Sequence, residues 1–253
     1  MLEYYEKLLR LKRFSFSDAV EIFGDSQKAK NILYALKKKG LLQSVRRNYY
    51  VAVSLETKES VASPFEIASA ITPNSYISHH SAFEFYGLAN QVFSDVFVST
   101  KQTFREFDFY GRRYHCVETP REFGITTQKM IKVTDLERTV LDSIKDFDKI
   151  GGLEELLRCL EMITVIDENK LAEYLGNYGN QFLIQKTGYI LSYFSQLKLS
   201  DTFFEHCKKN IGNSSRYLYS DLKYEKNVFI KEWNLCVPEN ILQLVNEGGA
   251  AFV

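Results

Sequence analysis

Gln27, Lys28, Lys30, Asn31 and Tyr34 recur at helical spacing along one basic segment, and Arg46-Arg47-Asn48 follows it between two apolar runs. Amide side chains one turn apart are the type that hydrogen-bond base edges in a major groove, whereas lysine and arginine neutralise phosphates. The chemistry this set points to is recognition of double-stranded DNA. Gln27, Lys28 and Asn31 are placed to choose bases, and Arg46 and Arg47 to touch the backbone or the minor groove, with Asn48 and Tyr49 in the same set.

These residues need a winged helix-turn-helix to position them. A first helix is expected over residues 1–12, with Leu2, Tyr5, Leu8, Leu9 and Leu11 as its apolar stripe. A short extended link follows at Phe14-Ser15-Phe16, and Ser17 is the expected cap of a second helix that Gly24 breaks. Ser26 is the expected cap of the third. There Ala29, Ile32, Leu33 and Leu36 fall at i, i+3, i+4 and i+7, one buried face, which leaves the recognition set outside it. Gly40 supplies the stop. Residues 41–45 and 49–53 have strand composition around the arginine turn, and Asn48 tolerates the left-handed backbone such a turn requires.

Charge distribution agrees. The chain has no net charge, yet residues 1–53 carry eleven basic and five acidic side chains, and the remainder has the opposite excess. Phosphate attraction acts over a Debye length, so the local surplus is the relevant quantity.

Other chemistry is less well assembled. His79-His80 are adjacent and diverge on a helix, and His115-Cys116 and His206-Cys207 are likewise isolated pairs, so no metal site is expected. Gly212-Asn213-Ser214-Ser215, with Asp221 and Glu225 downstream, faintly resembles a nucleotidyltransferase Gly-Ser loop, but the closely spaced pair of acids is missing and the segment reads as a plain polar loop. No phosphate loop, nucleophile elbow or HExxH motif is found. Asp135, Glu137, Arg138 and Asp142 share one helix; Thr134 with Glu137 reads as its capping box, and Arg138 with Asp142 as an ion pair one turn apart.

At 253 residues two domains are expected: residues 1–60, and 61–253 as a larger, mixed and helix-rich part. The polar stretch 53–63 before Pro64 is the boundary. Helices are expected from Pro64 and over 78–88, a strand at 93–99, and a hairpin at 104–117 turning near Tyr110-Gly111. Helices then dominate from Leu153, before an irregular stretch with short strands. No apolar run reaches 18 residues, and the four cysteines are widely spaced, so a reducing cytoplasm is expected, with no membrane span and no cofactor.

The chain resembles the AbiEi family, antitoxin-type transcriptional regulators of bacterial type IV toxin–antitoxin and phage-defence operons. The resemblance is carried by the basic helix with RRNYYV, then YISHHSAFEFYGL (76–88), VTDLERTVLDSI (133–144), KTGYILSYF (186–194) and KEWNLCVPENI (231–241). Relatives often have glycine in the turn where this chain has Asn48. The resemblance implies repression of its own operon through inverted repeats, and a nucleotidyltransferase-like toxin opposed through the C-terminal part without a stable complex. It also makes Asp135, Arg138, Thr139 and Asp142 family-motif positions. The expectation is therefore a non-enzymatic α+β repressor and antitoxin. Its rival is a DNA-targeted nuclease or nucleotidyltransferase carrying a winged-helix module, which clustered acids placed for Mg²⁺ would favour.

Overall fold

The computed structural model describes residues 2–246; Met1, where the first helix was expected to begin, and 247–253, the end of the expected second domain, lie outside the described residues. The fold is mixed α+β, built on three hydrophobic clusters.

The first cluster belongs to α1 (Leu2–Leu11), β1 (Arg13–Ser15), α2 (Phe16–Phe23), α3 (Ser26–Lys38) and the hairpin of β2 (Leu42–Arg46) and β3 (Tyr49–Ala52). Tyr5 and Leu8 of α1, Ala19 and Phe23 of α2, and all four expected apolar positions of α3 are buried together. The strands form an antiparallel sheet in the order β1-β3-β2.

Two caps differ from the sequence expectation by one or two residues. Ser15, not Ser17, caps α2, because its extended backbone brings Oγ to the Asp18 amide at 3.2 Å while Asp18 returns to the Ser15 amide at 2.7 Å. Asp25, not Ser26, caps α3 and accepts from the Lys28 amide at 2.7 Å, a carboxylate at the positive end of the helix dipole. Beyond α3, Gly40 has φ 71°, and the Leu41 amide reaches back to the Leu36 carbonyl at 3.0 Å, closing the helix in a Schellman turn.

The second cluster lies under α4 (Pro64–Ala68), β4 (Tyr76–Ile77), α5 (His79–Tyr86), β5 (Asp95–Thr100), β6 (Phe107–Phe109), β7 (Arg112–Glu118), β8 (Ile125–Gln128) and β9 (Ile131–Thr134). The six strands form one mixed sheet in the order β6-β7-β5-β4-β9-β8, with β5–β7 and β4–β9 parallel. The β6–β7 turn is at Tyr110-Gly111, as expected, both at positive φ.

That second cluster also takes Val45, Tyr49 and Val51 from the hairpin, packed with Ala62, Ile67, Phe104 and Tyr114. Tyr49 Oη donates to the Ile67 carbonyl at 2.9 Å, Tyr5 Oη to the Val53 carbonyl at 2.6 Å, and Lys12 pairs with Glu66 at 2.7 Å. The polar stretch folds back on itself, with Ser54 bonded to Glu59 and the Val61 amide to the Ala52 carbonyl. It marks a change of core along the chain, not a separation of the two parts.

The third and largest cluster gathers α6 (Leu136–Lys145), α7 (Leu153–Glu161), α8 (Glu168–Tyr178), α9 (Gln181–Leu191) and α10 (Asp201–Asn210). A small sheet of β10 (Arg216–Tyr217), β11 (Asn227–Ile230) and β12 (Leu235–Pro238), then α11 (Ile241–Asn246), closes it in the order β10-β12-β11.

Candidate nucleic-acid interface

The buried stripe of α3 decides what its other face presents. Gln27, Lys28, Lys30, Asn31 and Tyr34 are all exposed, Tyr34 at 71%. Gln27, Asn31, Tyr34 and Lys38 form one row along the helix, and Gln27 Nε2 donates to Asn31 Oδ1 at 3.2 Å. That bond pre-orients the two amides and leaves the Asn31 amino group and the Gln27 carbonyl to face outward, a donor and an acceptor of the kind that meets an adenine edge. Lys28 is partly withdrawn, its ammonium 5.7 Å from the ring of Tyr4 on α1.

Lys30, Lys38, Lys39 and Arg47 form no salt bridge among the described residues. Their charge is not neutralised locally, so the field of this face stays positive.

The hairpin tip is tighter than expected and divides the arginine pair. Arg46 and Tyr49 face each other across a two-residue turn of Arg47 and Asn48, with Asn48 at φ 60°. The Asn48 carbonyl accepts from the Phe16 amide at 2.9 Å, which braces the tip against the start of α2. Arg47 is exposed and free to reach a phosphate.

Arg46 was expected to do the same and does not. A bulge between Ser44 and Arg46 turns its side chain inward, its guanidinium sits 5.7 Å from the Phe104 ring, and Nη1 is buried without a hydrogen-bond partner. Tyr49 is also removed from the interface. It is 6% exposed, and burial pushes its phenol well above the usual range, with a neighbouring Arg13 opposing. Both residues attach the hairpin to the second cluster.

The motif Asp135, Arg138, Thr139 and Asp142 assembles into a buried network at the start of α6. Asp135, not Thr134, caps the helix, accepting from the Arg138 amide at 3.0 Å. Thr134 ends β9, fully buried, and shares hydroxyl contact with Thr139 at 2.7 Å, so it has no freedom to cap. Glu137 likewise serves elsewhere, accepting from the Asp167 amide at 2.9 Å and tying α6 to the start of α8.

Arg138 is 1% exposed. Its Nε meets Asp142 at 3.3 Å, the expected pair one turn apart, but inside the molecule instead of on a solvated face. Nη2 donates to Tyr76 Oη at 2.6 Å, Nη1 to the Phe123 carbonyl, and the rings of Phe123 and Tyr76 lie at 4.9 and 5.0 Å. Tyr178 donates to Asp142, and Tyr174 to Asp135 at 2.8 Å. Burial first, then the adjacent carboxylates, hold both phenols above their ordinary range. Gly124 makes the close approach feasible: at φ +60° it stands where a Cβ would come within 2.9 Å of the Arg138 Cβ. The three tyrosines were not singled out in the sequence, because partners 36 to 62 residues distant leave no local signal.

The histidines are structural in geometry. His80 Nε2 meets Glu155 at 3.2 Å and stacks on Phe93 at 3.9 Å, while Glu155 also accepts from the Asn90 and Gln91 amides at 3.1 Å. Ser78, His79 and Asp146 come together, at 2.8 Å and 3.5 Å, with the residue types of a hydrolytic triad. Ser78 and His79 are 0% and 2% exposed, so a substrate has no access to them. Among the described residues no group of three or more His, Cys, Asp or Glu is arranged for a metal ion, and no helix is long and apolar enough to cross a membrane.

No family model matches this chain, and no curated protein does. The fold is similar to the crystal structure of the RV2827C protein from Mycobacterium tuberculosis, with a TM-score of 0.67 and 11% identity over 97% of this chain and 93% of that one. A likeness at that identity speaks for shared architecture across nearly the whole length, and for nothing finer.

Proposed function

We propose that this chain is a cytoplasmic DNA-binding transcriptional repressor of the AbiEi type, which autoregulates its operon and whose second part acts as the antitoxin to a nucleotidyltransferase-like toxin. The first part is read as a winged helix-turn-helix, with α3 in the major groove and the Arg47-Asn48 tip beside the backbone. The observation that carries this reading is the exposed, pre-oriented Gln27–Asn31 amide pair, flanked by cations without carboxylate partners. The antitoxin role rests on the sequence resemblance alone.

The test is a mobility-shift titration of the full chain on the DNA upstream of its own gene against random duplex of equal length. Asn31→Ala is expected to weaken the specific site by about 1–3 kcal/mol and to leave random DNA nearly unaffected. Equal loss on both sinks the base-reading role. Antitoxicity is read separately: the Asn31→Ala, Arg47→Ala protein, made from an unrelated promoter, is expected to rescue toxin-arrested cells while failing to repress. Loss of rescue in a folded and abundant variant reduces antitoxicity to repression.

A further inference from the structure

The most distinctive feature outside the interface is a cleft of about 550 Å³ between the end of α6, α9 and β10, of mononucleotide size. Its walls combine aromatic rings (Phe147, Phe182, Tyr217, Tyr219) with the cations Lys145, Lys186, Arg216 and Lys223, against one lining carboxylate, Asp148.

The lysine at its base is unusual. Lys186 is 6% exposed and lies 4.2 Å and 4.8 Å from the centres of the Phe147 and Phe182 rings. Its ammonium donates to the Ile144 and Lys145 carbonyls at 3.2 Å each, capping the C-terminal end of α6. That explains two of its three N–H groups. Among the described residues the third has no acceptor, and no carboxylate pairs with the ammonium. Burial lowers its pKa to about 8, with Asp146 and Asp148 opposing and Lys145 reinforcing the shift.

The rim adds two cations that are also free. Arg216 lies 5.2 Å from the Phe182 ring and Lys223 4.5 Å from the Tyr224 ring, and among the described residues neither has a carboxylate partner. Lys145 and Asp148 are each already paired, at 2.7 Å with Asp146 and 3.2 Å with Lys149. The surplus charge is thus Lys186, Arg216 and Lys223, set around aromatic walls with Tyr217 42% exposed at the entrance.

Plain anion sites need no rings, and acidic peptides are not flat. A ligand that uses both features carries several negative charges at one end and an aromatic plane at the other, stacking on tyrosine or on the guanidinium plane. We propose that this cleft binds a nucleoside polyphosphate, with phosphates on Lys186, Arg216 and Lys223 and the base against Tyr217 and Tyr219. This stands independently of DNA recognition by α3, which lies on a different core.

The experiment is calorimetric titration of the full chain with ATP, GTP, CTP and UTP in turn, beside tripolyphosphate, adenosine and a short single-stranded oligonucleotide. Saturable binding of at least one nucleoside triphosphate is expected, together with about tenfold weakening in Arg216→Ala and in Lys223→Ala, each the loss of a charge-assisted contact. Both positions are on the surface, so these variants avoid the buried change that Lys186→Met would make, and unchanged thermal unfolding checks that they keep the fold. The free nucleotide should bind more tightly than tripolyphosphate. Absence of saturation by every nucleotide at millimolar concentration overturns the proposal. So does binding that Arg216→Ala and Lys223→Ala leave intact, tripolyphosphate binding equal to the nucleotides, or preference for the oligonucleotide. Weakened operator binding in Asn31→Ala with nucleotide binding intact separates this site from the interface.

Discussion

Arg138 shows how a residue's role depends on what encloses it. On a solvated helix an arginine and an aspartate one turn apart contribute a few tenths of a kcal/mol. Here both are buried, with every guanidinium nitrogen engaged by Asp142, Tyr76 or the Phe123 carbonyl. Arg138→Ala leaves Asp142 as a buried charge held only by Tyr178, so a loss of about 3–5 kcal/mol is expected in urea unfolding. Arg138→Lys, which keeps the charge but not the planar fork, should recover only part of it. A change within 1 kcal/mol for Arg138→Ala contradicts the network. Any failure of this variant to rescue cells must then be separated from failure to fold.

His80 permits a pH prediction at the same scale. Burial lowers its pKa, with Glu155 opposing. The unfolded chain therefore takes up a proton near pH 6.5 that the folded chain refuses until lower pH, so stability falls as the pH drops below about 6.5. Thermal melts between pH 7 and 5 should show a shallower decline in His80→Gln than in the natural protein. An identical slope excludes His80 as a source of acid sensitivity.

Among the elements, α9 meets the 3₁₀ turn before β12 (Lys231–Trp233) through a glycine. A Cβ on Gly188 would lie 2.2 Å from the ring of Trp233, the chain's sole tryptophan. The glycine of KTGYILSYF and the tryptophan of KEWNLCVPENI, far apart in sequence, are thus a packing pair, which gives those two segments a structural reason. Gln185 beside it donates to the Trp233 carbonyl at 3.1 Å. Gly188→Ala would gain helix propensity on an open surface, but here overpacking decides, and about 1–3 kcal/mol of destabilisation with a shifted tryptophan emission is expected. On the hairpin, Arg47→Ala should lower the slope of log affinity against log salt by about 1, whereas Arg46→Ala, whose guanidinium faces Phe104, should leave the slope unchanged.

For the whole molecule, the hairpin belongs to two cores at once. Leu42 and Ala52 pack with the three helices, while Val45, Tyr49 and Val51 pack beneath the six-stranded sheet. Arg47, the proposed phosphate contact, is thereby joined to the second part through β3 rather than through a linker. A chain cut after Ser63 leaves those three side chains uncovered, each about 1.5–3 kcal/mol of lost burial, a large share of the stability of a piece that small. The fragment is expected to melt without a cooperative transition and to bind DNA weakly, by circular dichroism and mobility shift. Full operator affinity in the fragment shows that the docking is dispensable.

The sequence by itself determined the elements whose cause is local. The four-residue apolar stripe of α3, its exposed polar set, the stops at Gly24 and Gly40, the left-handed Asn48 and the Tyr110-Gly111 turn all rest on neighbours within about one helical turn. Caps were displaced by a residue or two because Ser15 competes with Ser17, Asp25 with Ser26 and Asp135 with Thr134, and backbone direction at the helix start chooses between them. Tertiary structure alone decided which of two adjacent arginines faces solvent, that Tyr49 is an anchor, and that the Arg138 network is closed by three tyrosines from two other segments, β4 and α8. It also brought Lys186, Phe147 and Arg216 around one cleft. Burial and long-range partners arise from chain crossings, and no spacing along the sequence records them.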